Sequence, residues 1–256
     1  MRVPICKGRK LVLDVFYHHR ATVPFPDWAI RDFNQCFGRF GQSVIYNNHI
    51  VYTNLDYFKE YKDKTVFIIG GGPSTMTTDL AGVDRDFTWS INHFFLNDKL
   101  KDTKVDLAMI LGEPNINSPE FLEYREKFQP YIALEVHDRW FNHTFDDYDK
   151  YCAMHTKFYG RLGAGLRMIL FASFLGCKEI KFTGLDGAEE IFKGNHAFQP
   201  GKNTLPSVYT NAPQEVVLQD WKEQNDYFWE YTQELFPAIS YVNLGGGERY
   251  HEKIKR

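Results

Sequence analysis

The residues best suited to chemistry sit in a glycine-rich run, Gly70-Gly71-Gly72-Pro73-Ser74, directly after the apolar stretch Thr65-Val66-Phe67-Ile68-Ile69. Glycines let a backbone approach an anionic group closely, and the N–H groups that open a following helix favour phosphate. Pro73 fits a first helical position, and Ser74 adds a hydroxyl. The run lacks the GK[ST] of a Walker loop and the third glycine of a GxGxxG fingerprint. A dinucleotide site also wants an acidic residue about 20 positions on, at the end of the next strand. That place holds Asn92. A neutral amide both donates and accepts, so Asn92 suits a ribose or a base edge and favours a mononucleotide over NAD. The same glycines equally suit a tight turn that holds no ligand.

Two residues stand out as candidates for catalysis. His196 lies in a polar, glycine-flanked loop after a strand end, where catalytic groups tend to sit. An imidazole with its ordinary pKa of about 6.5 suits a general base. Asp186, in Gly184-Leu185-Asp186, could orient a substrate hydroxyl or assist His196, with a turn cap as the alternative. Glu113 and Asn115 end a strand that could reach the same crevice, with a structural turn as the alternative. His137-Asp138-Arg139, His18-His19-Arg20 and Lys202 read as solvated loop residues. Of two Asp-x-Asp triplets, Asp84-Arg85-Asp86 precedes its strand and Asp147-Tyr148-Asp149 sits in a charged loop. Metal-dependent transferases hold a divalent cation with such pairs at strand ends, so no metal is expected here.

The elements that must position these groups alternate along the chain. Runs at 65–69, 87–91, 105–111, 131–136, 179–183 and 239–242 read as strands, and the nearly all-apolar 65–69 reads as one buried on both faces of a parallel sheet. Ser118-Pro119 opens a helix, the apolar stretch 165–175 is a buried helix ended by Gly176, and 213–235 is a long amphipathic helix. A helix is also expected after the glycine run. The alternation predicts an α/β fold: a Rossmann-like open, mostly parallel sheet with helices on both faces. Residues 1–63 form an N-terminal α/β extension, with strands at 11–17 and 43–46, a helix opening at Pro26 and a polar link at 57–64. Residues 64–256 form the nucleotide-binding domain. A chain of 256 residues buries a core without staples. A net charge of -3 argues against nucleic acid as the main partner. Cys6, Cys36, Cys152 and Cys177 form no CxxC pair, which fits a reducing compartment. With no leader-like start and no long apolar run, a cytoplasmic protein without a membrane span is expected. A homo-oligomer stays open.

Several segments together resemble a known group: Gly70 to Ser74, Ser90-Ile91-Asn92-His93-Phe94, Arg161-Leu162-Gly163-Ala164-Gly165, 175–186, and Tyr241-Val242-Asn243-Leu244. In order and spacing they are similar to the bacterial sialyltransferases that use CMP-activated sialic acid on one Rossmann-like domain. They are similar also to a related superfamily of flagellar motility accessory factors and a hydroxymethyldihydropterin pyrophosphokinase. The likeness covers about residues 64–247. It implies that Gly70, Gly71, Gly72, Ser74 and Asn92 hold the nucleotide, and that Arg161, Gly163, Ala164 and Gly165 line its site. It also implies metal-independent, inverting displacement, with a histidine base and two tyrosines that stabilise the departing phosphate.

The catalytic half departs from that pattern. Ala188 stands where one tyrosine would be, His196-Ala197-Phe198 where a Tyr-Ala-Phe segment would be, and Gly201-Lys202-Asn203-Thr204 lacks the family's preceding histidine. The expected function is therefore a glycosyltransferase. Its co-substrate is a nucleotide-activated sugar, CMP-linked, with no bound cofactor and a glycan or protein acceptor. The alternatives are a pyrophosphokinase-type enzyme on the same fold, or a nucleotide-binding module without catalysis.

Overall fold

The computed structural model describes residues 43–46, 49–52, 58–110, 116–135, 148, 150–154, 163–187, 189–190, 193–201 and 213–245. The strand expected at 11–17 and the helix opening at Pro26 lie outside them. Strands β1 (Ser43–Tyr46) and β2 (His49–Tyr52) pair antiparallel, with Ser43 opposite Tyr52. Seven further strands follow: β3 (Thr65–Ile69), β4 (Phe87–Ile91), β5 (Leu107–Met109), β6 (Tyr131–Glu135), β7 (Tyr151–Met154), β8 (Glu179–Thr183) and β9 (Ser240–Asn243). They form one sheet in the order β7-β6-β5-β4-β3-β8-β9, and every neighbouring pair is parallel. The described α-helices are α1 (Ser74–Thr77), α2 (Pro119–Phe128), α3 (Ala164–Phe174) and α4 (Gln214–Leu235). This is an α/β, Rossmann-like open sheet flanked by helices. No helix among the described residues is long and apolar enough to cross a membrane.

The central strand explains the architecture. All five residues of β3 are buried, so both sheet faces must be covered, and a parallel sheet with crossovers does that. Helix α3 is buried along almost its whole length, Arg167 included at 1% exposure, and it packs against β3, β4 and β8. Ser118 caps α2 by accepting the Phe121 N–H at 3.2 Å, with Pro119 at the first helical position. Gly176 at φ 78° ends α3 in the left-handed conformation that glycine tolerates.

Four expectations change. The polar stretch read as a link carries two core residues, Phe58 and Tyr61. Tyr61 meets Trp89 edge-on at 5.1 Å and Phe58 meets Phe171 edge-on at 5.6 Å, so the charges around them face solvent while the rings anchor the segment. Strand β5 is shorter than its apolar run. The Val105 N–H donates to the Tyr124 hydroxyl at 2.8 Å, and Asp106 accepts the Thr88 N–H at 2.8 Å. The Val105 N–H is thereby taken by a side chain, while Asp106 keeps backbone bonds to Thr88 and Tyr131 at 2.7 and 2.8 Å. The edge strand β7 has no counterpart in the sequence reading. Its four residues, Tyr-Cys-Ala-Met, show neither alternation nor a long apolar run. Finally, the helix after the glycine run lasts only the four residues of α1, and 78–86 is not helical.

Burial also sets a pH response. It pushes the Cys177 thiol up to about 12, so the folded chain keeps this group protonated where the unfolded chain would ionise it. The resulting stability is complete below about pH 8.5, the ordinary thiol value, and is lost as pH rises from there towards 12. Burial likewise pushes the Tyr241 hydroxyl up to about 12, which steepens the loss at the alkaline end. The urea midpoint of the wild-type chain should therefore fall faster above about pH 9 than that of Cys177→Ala. Parallel curves for the two chains would show that the thiol is not protected in this way.

Candidate functional site

From β3 the chain builds outward through β4, β5, β6 and β7, then returns to place β8 on the other side of β3. In such sheets the crevice lies beyond the carboxyl ends of the strands where the direction reverses. Here those ends are Ile69 of β3 and Thr183 of β8, which lie in register. The glycine run follows the first and Gly184-Leu185-Asp186 follows the second. Both stretches are among those singled out in the sequence, and they meet.

Their meeting explains the glycines. The Gly70 N–H donates to the Thr183 carbonyl and the Gly72 N–H to the Gly184 carbonyl, both at 2.8 Å. A Cβ on Gly70 would lie 2.4 Å from the Gly184 oxygen, and one on Gly72 would lie 2.2 Å from an Asp186 carboxylate oxygen. The Ser74 N–H donates to Asp186 Oδ2 at 2.9 Å. The Ser74 hydroxyl accepts the Gly184 N–H at 2.9 Å and shares a hydrogen bond with the Thr183 hydroxyl at 3.2 Å. The run was expected to offer phosphate its N–H groups and the Ser74 hydroxyl. In the structure the N–H groups of Gly70, Gly72 and Ser74, and that hydroxyl, bond the chain's own β8 loop. Asp186 supplies the negative charge at the start of α1. The run is first of all a close backbone joint between β3 and β8.

Gly71 has a different neighbour. A Cβ there would lie 2.5 Å from Cε1 and 2.6 Å from Nε2 of His196, so the imidazole lies directly on this glycine. The ring's other nitrogen, Nδ1, accepts the backbone N–H groups of Phe198 and Gln199, both at 3.2 Å. Two donors at Nδ1 mean that the lone pair is there and that the neutral ring carries its proton on Nε2. The nitrogen beside Gly71 is therefore a hydrogen-bond donor. The general-base role expected from the sequence needs a lone pair at the nitrogen that meets substrate, and this arrangement supplies a proton instead.

A residue absent from the sequence reading fixes that ring. Asn97, 4% exposed, donates from Nδ2 to the Ala197 carbonyl at 2.8 Å and contacts the Met76 sulfur of α1 at 3.4 Å. Its Oδ1 accepts the Lys99 N–H at 2.9 Å. The Ala197 N–H in turn donates to the Gly71 carbonyl at 2.7 Å. Ala197 is thus held at both ends, and His196 with it. No motif marks Asn97, because its partner lies 100 positions away.

The third wall is the start of α3. Gly163 caps this helix without a side-chain bond, and a Cβ there would meet nothing within 4 Å among the described residues. Gly165 packs on Leu185, with a Cβ placed 2.0 Å from its Cδ2, and the same carbon lies 2.7 Å from a Cβ on Gly70. Leu185 thereby seats the N-terminus of α3 beside the glycine run. Ala164, at 8% exposure, is part of the packing. Asn92 stands where expected, directly after β4, in a left-handed conformation at φ 48° with its N–H on the Met109 carbonyl at 2.7 Å. Asp86 ties the start of β4 to the start of β3: it accepts the Thr65 N–H at 2.8 Å, and that bond lowers its pKa. Arg161, Glu113, Asn115, His137, Asp138, Arg139 and Lys202 lie outside the described residues. Comparison of the chain with protein-family models and with curated proteins finds no match.

Proposed function

We propose that the crevice between β3 and β8 binds a nucleotide-activated sugar, CMP-linked, and passes the sugar to an acceptor hydroxyl by direct displacement. The observation that carries this reading is the His196 Nε2–H set over Gly71 beside the glycine-walled start of α3, at the point where the sheet reverses. The resemblance of the quoted segments to the CMP-dependent sialyltransferases names the nucleotide.

Each group has a task that fits its chemistry. The N–H groups and positive end of α3, eleven residues long, favour the phosphate. Asn92 bonds the ribose or the base edge. In the transfer, the acceptor oxygen forms its bond to the anomeric carbon as the bond from that carbon to the phosphate oxygen breaks. His196 donates from Nε2 to the departing phosphate, which takes over the task of the family's tyrosines. The Asp186 carboxylate receives the proton that the acceptor hydroxyl loses. No metal or other cofactor takes part in these steps.

Calorimetric titration with CMP, UDP, GDP and ADP tests the nucleotide. CMP should bind, and Asn92→Ala should weaken it about tenfold, the worth of one or two lost hydrogen bonds. A chain that binds none of the four nucleotides is not a nucleotide-dependent transferase.

A further inference from the structure

The crossover from β3 to β4 contains only α1 and then runs without a helix from 78 to 86. A full helix would cover the sheet here. The short one leaves a groove of about 370 Å³, a size that small-molecule sites share. Its apolar lining is Leu80 and Ala81 over the fully buried Ile69 and Leu100, and its charged lining is Arg85, Lys99 and Asp79. His196, Asp186 and Asn92 do not line it.

The charges are unbalanced. The Arg85 guanidinium lies over the Phe67 ring at 5.4 Å. It donates from Nε to the Thr88 hydroxyl at 2.8 Å, and from Nη1 to the carbonyls of Leu80 and Val83 at 2.6 and 2.7 Å. A guanidinium has five N–H donors in a fixed plane. The two on Nη2 have no partner among the described residues, and no described carboxylate pairs with Arg85. Lys99 donates to the Met76 carbonyl and also has no carboxylate partner among the described residues. Asp79 accepts the Gly82 N–H at 3.2 Å. Two cations against one carboxylate, beside an apolar lining, suit an oxyanion on an apolar body.

We propose that this groove is a second binding site, independent of the crevice, for a small organic anion that carries one phosphate or carboxylate group. Its phosphate or carboxylate is held by Arg85 and Lys99, and its apolar body rests on Leu80 and Ala81, which keep accessible surface. The full chain is titrated by calorimetry with phenyl phosphate, benzoate and inorganic phosphate. At least one aromatic anion should bind about tenfold more tightly than inorganic phosphate, since ring burial adds to the ionic contact. The tighter of the two names the oxyanion. Arg85→Gln would also release the Leu80 and Val83 carbonyls, so two rim variants carry the test. Lys99→Gln should weaken binding about tenfold, and Ala81→Trp, which fills the exposed rim, should abolish it. His196→Ala should leave it unchanged. Failure of both aromatic anions to bind, equal binding of inorganic phosphate, or survival of binding in Ala81→Trp would overturn the proposal. Loss in His196→Ala would place the anion in the crevice and overturn it equally.

Discussion

Replacing Gly184 by alanine should lower the free energy of unfolding by about 3 kcal/mol, the sum of a left-handed penalty and an overpacking penalty. Gly184 has φ 72°, where an L side chain is strained. A Cβ there would also lie 2.3 Å from the Thr75 hydroxyl oxygen and 2.4 Å from the Gly70 carbonyl oxygen. Neither neighbour can retreat cheaply. The Thr75 hydroxyl donates to that same Gly70 carbonyl at 2.8 Å, and the Gly70 N–H is tied to β8. Gly201 separates the two contributions. Its φ is 81°, and a Cβ there would meet nothing within 4 Å among the described residues. Gly201→Ala should therefore cost only the backbone part, about 1 kcal/mol. Urea unfolding of both variants gives the difference, provided the m-value is unchanged. Equal losses at the two positions would show that the close approach of the β3 and β8 turns contributes nothing.

The second large effect follows from the proposed transfer. His196→Ala should lower kcat about 100- to 1000-fold with a CMP-linked donor, the usual worth of one preorganised donor to a developing charge. KM should stay near the wild-type value, because in the proposed displacement the contact strengthens only as the phosphate departs. His196→Gln separates donor from base. A glutamine amide donates a hydrogen bond but takes no proton at neutral pH. It should recover at least about tenfold of the loss if the Nε2–H is what matters. Identical rates for the alanine and glutamine variants would return His196 to the role of base.

The contrast between these two residues shows what a sequence makes legible. Strand β3 is a nearly continuous apolar run, β4 and β8 alternate apolar with polar residues, and the bounds of all three match those expected from the sequence residue for residue. Helix α3 is bounded by Gly163 and Gly176, and its limits agree to within a residue. Periodicity and local punctuation carry that information. Asp186 on the Ser74 N–H is a contact across 112 positions, and Asn97 on Ala197 one across 100. Neither leaves a local mark. The glycine run was legible as a place where backbone must come close. What it comes close to, the Gly184 carbonyl and the His196 ring, depends on how β3 and β8 are brought side by side. The tautomer of His196 depends on two amides of its own loop, whose direction no residue type announces.

The most direct measurement is long-range proton–nitrogen NMR of the His196 imidazole, assigned by its loss in His196→Gln, without and with CMP. The geometry predicts a neutral ring protonated on Nε2, with that nitrogen's resonance moving when CMP is added. A ring protonated on Nδ1, or an Nε2 resonance untouched by saturating CMP, would contradict a crevice in which this histidine faces the phosphate as a donor.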